Sequence, residues 1–104
     1  MTSKSHLIYD WNRADGPEFA PGAPAMVNDE TLRDGLQSPS VVDPPVEKKI
    51  RILHLMAALR IDSLNLGLPG AGPRAKADVE RLAREIVSAR LPIRANCAAR
   101  TIET

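Results

Sequence analysis

Apolar and polar residues recur along this chain with two different periods. Residues 25–31 open with the apolar run Ala25-Met26-Val27 and turn polar, which reads as a first strand. After a polar loop over residues 32–43, Val46, Ile50, Leu53 and Ala57 recur at helical spacing, and Ile52, Met56 and Leu59 widen the apolar face. Asp43 is placed to cap this helix, and Pro44 suits its first position. In residues 62–68, Leu64, Leu66 and Leu68 alternate with Ser63, Asn65 and Gly67, the mark of a strand with one aliphatic face. In a closed barrel the leucines would meet the helices and Asn65 would point into the lumen. A strand half in solvent gives the same alternation.

The run Pro69-Gly70-Ala71-Gly72-Pro73 is a turn that starts a second helix, with Ala75, Val79, Leu82, Ala83 and Ile86 on one face. Glu80 and Arg84 are spaced for an exposed helical ion pair. Leu91-Pro92 ends that helix, and residues 93–97 read as a third strand. The order β-α-β-α-β predicts an α/β fold with a parallel sheet. Residues 1–24 carry breakers (Gly16-Pro17, Pro21-Gly22-Ala23-Pro24) and one short apolar patch, Leu7-Ile8-Tyr9. They read as an arm packed on the domain of residues 25–104, with Tyr9 and Trp11 as anchors.

Composition narrows the classes. The chain is 43% hydrophobic and 26% charged, ordinary for a globular domain. A net charge of +1 leaves no electrostatic footprint for nucleic acid or a membrane surface. The aromatics Tyr9, Trp11 and Phe19 all precede the first strand, so the core is expected to be aliphatic, as under helices on a parallel sheet. A lone cysteine, Cys97, forms no internal disulfide; it reads as a small buried strand residue and fits a cytoplasmic location. The first residues show no leader pattern, and no stretch has the apolar length of a bilayer span. His6 and His54 lie far apart, and His54 reads as a helix-boundary residue.

The candidate chemistry is concentrated in Asp29-Glu30-Thr31-Leu32-Arg33-Asp34-Gly35-Leu36-Gln37. Asp34 offers oxygen to a hard divalent cation. Arg33 offers a fixed positive charge beside an oxygen that becomes negative. Gly35 stands where a tight turn or a close ligand needs it. The commoner use of such residues is a solvated loop with a surface ion pair. In a parallel α/β sheet, however, Arg33, Asp34, Gln37 and Pro69 all fall at carboxyl ends of strands, where ligands bind.

The string resembles the signature of the DRE-TIM metallolyase superfamily, close to Asp-Thr-Thr-Leu-Arg-Asp-Gly-x-Gln. It is met at Asp29, Thr31, Leu32, Arg33, Asp34, Gly35 and Gln37, with Ser38-Pro39 continuing in the manner of the synthase branch. Ile61-Asp62-Ser63-Leu64-Asn65-Leu66-Gly67-Leu68-Pro69-Gly70 is similar to the family's second strand, with Asn65 where the family usually has Glu. Asn96-Cys97-Ala98-Ala99-Arg100-Thr101 is similar to its third strand end. The family's His-x-His metal pair does not occur in this sequence.

The resemblance implies a partial TIM (β/α)8 barrel and a Claisen-type condensation of an acyl-CoA, such as acetyl-CoA, with a 2-oxo acid. It implies a divalent metal (Mg, Mn or Zn) bound at Asp34, charge stabilisation by Arg33, and substrate contacts from Gln37 and Asn65. Asp29 and Thr31 would support the site, with Asp29 orienting the strand end or Arg33. The full-length parent is expected to be a homodimer, closest in kind to the 2-isopropylmalate synthases. The carbon–carbon lyase direction, which Leu36 favours, and a non-catalytic remnant are the alternatives. A complete barrel takes about 250 residues, so 104 residues are expected to stop after the third strand. Such a piece is expected to be inactive alone and to leave a sheet edge and an apolar face uncovered.

Overall fold

Leu64 is the point around which the layers assemble. It sits in the middle strand with its side chain fully buried, and Leu53 and Leu82 from the two helices are fully buried with it. The computed structural model describes residues 7–9, 11, 22 and 24–101. Strand β1 (Asn28–Asp29), helix α1 (Val46–Ala58), strand β2 (Ser63–Asn65), helix α2 (Pro73–Ser88) and strand β3 (Arg94–Asn96) follow in that order. The strands form one parallel sheet in the order β1-β2-β3. This is the α/β architecture expected, in the strand order of consecutive barrel staves. The strands are shorter than the sequence pattern suggests, because their flanks leave the ladder into turns.

Register assigns the two faces. Asp29, Leu64 and Ala95 are paired across the sheet, and Asn28, Ser63 and Arg94 are paired on the opposite face, which Asn65 and Asn96 share. Leu64 and Leu66 join Leu32, Leu53, Met56, Leu82 and Ile93 in the core. The leucine face of β2 thus meets the helices, as the alternation predicts. The sheet face turned from the helices is polar, which corrects the expected bare apolar face. There Asn28 Oδ1 accepts from Ser63 Oγ at 2.7 Å and from Asn96 Nδ2 at 3.2 Å.

Several local expectations change. Pro45, not Asp43, stands at the start of α1, with no side-chain cap. Asp43 instead bonds Lys49 at 2.9 Å. Leu59 is exposed, because α1 ends one residue before it. Cys97 is exposed, since it lies past the end of β3. Tyr9 and Trp11 meet edge to face with centroids 4.6 Å apart, and both are exposed. They pack on one another and do not anchor a cover; the rest of the expected arm lies outside the described residues. Glu80 and Arg84 form the predicted pair at 3.3 Å.

Both helices stop the same way. Ile61 N–H reaches Met56 O at 3.1 Å and Leu91 N–H reaches Ile86 O at 3.0 Å, each across a residue in the left-handed region. Those residues are Arg60 (φ 62°) and Arg90 (φ 52°), where glycine is the usual choice. A side chain there costs about 1–2 kcal/mol, and glycine's extra chain entropy offsets part of it. Arg60→Gly and Arg90→Gly are each expected to raise stability by about 0.5–1 kcal/mol. An unchanged or lower denaturant midpoint would refute this.

The outer ends of α1 and α2 are tied by Glu85, whose carboxylate lies 3.0 Å from His54 Nε2 and 3.0 Å from Arg81 Nη1. The hydrogen bond with His54, and then that from Arg81, hold the Glu85 carboxyl below its ordinary value. A depressed folded value means stability that is present above the unfolded pKa of about 4.3 and lost as pH falls through the folded one. The chain's stability should therefore drop more steeply below about pH 4.3 than that of Glu85→Gln. Parallel midpoint-against-pH curves for the two proteins would contradict it.

Candidate functional site at the carboxyl ends of the strands

The site is built where β1 leaves the sheet. Asp29 Oδ1 accepts from Thr31 N–H at 2.7 Å, a side-chain turn that bends the chain as the strand ends. Glu30 O then accepts from both Arg33 N–H and Gly35 N–H at 3.1 Å, curling the signature into a tight loop. Leu32, between them, plugs into the core and pins the loop to the sheet. A short 3-10 turn over Gly35–Gln37 follows. Asp29 therefore orients the strand end; the carboxylate beside Arg33 is Glu30, with Arg33 Nε at 3.3 Å from Glu30 Oε2.

Arg33 and Gln37 line a cavity of about 120 Å³. Its other walls come from the carboxyl-side continuation of β2 (Leu66, Gly67, Leu68) and from the helix side (Lys49, Asp78). Asp34 is the outer member of the group. Its side chain is 72% exposed, its Oδ1 lies 3.9 Å from Arg33 Nη1, and it does not line the cavity. Asn65 is buried at the end of β2, where its Oδ1 accepts from Gly67 N–H at 3.1 Å. Its carbonyl oxygen is thus used internally. Thr31 is exposed and brings its methyl within 3.8 Å of where a Gly35 Cβ would stand.

The two glycines behave differently. Gly67 has φ +143° and a Cβ there would meet Val79 Cγ2 at 3.0 Å, so the strand end needs glycine to let α2 approach. Gly35 has no positive φ, and a Cβ there would meet nothing closer than 3.8 Å. The loop's own backbone does not require glycine at Gly35.

Sequence reasoning missed the charged group behind the loop. Lys49 is 6% exposed and places Nζ 2.7 Å from Asp78 Oδ2 on α2 and 2.9 Å from Asp43 Oδ1 on the returning limb of the loop. Arg74 adds contacts to Asp43 at 3.4 Å and to Pro44 O at 3.2 Å. The signal was present: Lys49, Leu53 and Met56 form one stripe of α1, and Asp78 and Leu82 one stripe of α2, so each charge sits on a buried face. Removing one member strands the other in a poorly hydrated place. Lys49→Met is expected to cost about 3 kcal/mol, and Lys49→Met with Asp78→Leu distinctly less. A double-variant loss equal to or larger than that of Lys49→Met alone in chemical denaturation would show that no stranded charge is relieved.

No family model matches the chain, and no solved structure matches it. Among curated proteins, it is 43% identical over 58 residues to 2-isopropylmalate synthase of Pyrococcus furiosus, covering 56% of this chain and 11% of that protein. It is 36% identical over 77 residues to homocitrate synthase AksA of Methanopyrus kandleri, covering 74% and 18%. It is 34% identical over 76 residues to methylthioalkylmalate synthase 1, chloroplastic, of Arabidopsis thaliana, covering 67% and 15%. The chain thus spans between 11% and 18% of the length of these relatives. Over the matched stretch it is a synthase-like region.

Proposed function

We propose that this chain is the opening β-α-β-α-β portion of an acyltransferase that condenses an acyl-CoA with a 2-oxo acid, in the manner of the 2-isopropylmalate synthases. The observation that carries the reading is the shared cavity at the carboxyl ends of β1 and β2, with Arg33 and Gln37 in its wall. Gly35 supports it: a glycine that the loop backbone does not need is suited to a ligand's close approach. The relatives are synthases, so the lyase direction rests on Leu36 alone.

In the reaction the acyl group's α-carbon gives up a proton. The resulting enolate forms a carbon–carbon bond to the keto carbon as the C=O π pair moves onto the keto oxygen, which takes on negative charge. That oxygen then takes a proton, and water cleaves the thioester to release CoA. Arg33 is suited to hold the oxo acid and to stabilise that charge. Gln37 would orient the substrate from the same wall, and Asn65 would act through its amide group. Asp29 and Thr31 shape the strand end that presents them. A divalent cation would supply Lewis acidity, and Asp34 is the carboxylate it would meet. Among the described residues no three His, Cys, Asp or Glu side chains converge, so these residues alone do not complete a cation shell.

Binding by the chain itself is the direct test. Titration with pyruvate, followed through backbone amide NMR signals, is expected to give saturable shifts at residues 33–37 and at the facing strand end, residues 65–68. The dissociation constant should be in the millimolar range, about −4 kcal/mol. Arg33→Gln should remove the shifts. Shifts of equal size in Arg33→Gln, or none at residues 33–37 in the wild-type chain, would overturn the assignment.

A further inference from the structure

The geometry points to Glu30 as the positioning residue for Arg33, fixing which edge of the guanidinium is offered to a carboxylate ligand. The inference rests on the reading of Arg33 as the oxo-acid residue and adds a role for a side chain outside that reading. Glu30 is also the fixed position of the family string that this chain does not meet, so the resemblance assigns it nothing.

Both carboxylate oxygens of Glu30 are engaged. Oε2 lies 3.3 Å from Arg33 Nε, and Oε1 accepts from Asn28 Nδ2 at 2.8 Å. Asn28 in turn accepts from Ser63 on β2 and Asn96 on β3. An unbroken chain of hydrogen bonds therefore runs from the guanidinium across the polar face of all three strands. A half-exposed ion pair adds little to stability. What this one adds is direction, because its far end is anchored in the sheet.

Direction matters because a guanidinium grips a carboxylate bidentately along either of two edges. Glu30 occupies the Nε edge of Arg33. Asp34 stands off at 3.9 Å from Nη1, too far to clamp the other. The terminal Nη1–Nη2 edge is left to the ligand, which would be met end-on. With Glu30 removed, the side chain would swing and either edge could be taken.

Two readouts separate positioning from bystander charge. The first is hydrogen exchange at Arg33 Nε–H. Glu30→Ala is expected to speed it about tenfold, the scale of one lost charge-assisted hydrogen bond, with Glu30→Gln between the two. An unchanged rate in Glu30→Ala overturns the inference. The second is the sign of the effect on pyruvate affinity. A bystander carboxylate repels an anion, so its removal would tighten binding. A positioning carboxylate orients the partner, so its removal should weaken binding, here by about tenfold in Glu30→Ala and in the same direction in Glu30→Gln. Tighter binding in either variant refutes positioning. If the wild-type chain binds no pyruvate, the proposed function is what fails, and the exchange rate alone decides the role of Glu30.

Discussion

Burial of the leucine face of β2 is the constraint on which this structure depends. Leu64 and, just past the strand, Leu66 share one buried cluster with Leu53 and Met56 from α1 and Leu82 from α2. A fully buried leucine contributes about 1.5–3 kcal/mol, and here three of them, Leu53, Leu64 and Leu82, meet with no exposed surface. Because side chains alternate along a strand, committing the leucines inward commits Ser63 and Asn65 to the other face. The polar platform on that face follows from hydrophobic burial on this one.

The signature loop inherits its placement from the same core. Leu32 is buried with the strand leucines, so the residues on either side of it cannot drift from the end of β1. On its far side the loop is held by Asp43 through Lys49, a lysine that is tolerated in the interior because two carboxylates surround it. The loop is thus pinned by an apolar plug at one end and an ionic clasp at the other. Between them Arg33 and Gln37 face a cavity, while Asp34 reaches toward solvent.

The periodicities of Val46 to Ala57 and of Ala75 to Ile86 made both helices legible, since an amphipathic stripe is imposed by the sheet it covers. The leucine alternation likewise gave the faces of β2. The limits of the strands were not legible, because pairing stops where turns such as Asp29–Thr31 and Asn65–Gly67 divert the backbone, and those depend on side-chain geometry. Asp43 reads as a helix cap by position, yet a buried cation 29 residues from its second partner claims it. Of the two roles expected for Asp29, orienting the strand end or Arg33, its hydrogen bond to Thr31 N–H serves the first, while Glu30 makes the contact with Arg33. Exposure of Cys97 depended on where β3 ends. In each case the local pattern was correct about residue type and silent about long-range pairing.

The strained arginines, Arg60 and Arg90, lie just before β2 and β3, at the amino-terminal rim of the sheet. The loop with Arg33 and Gln37 lies at the opposite rim. Reserves of unused folding energy and the groups suited to chemistry are therefore a full strand length apart. An engineer could harden the scaffold from below without disturbing what is presented above.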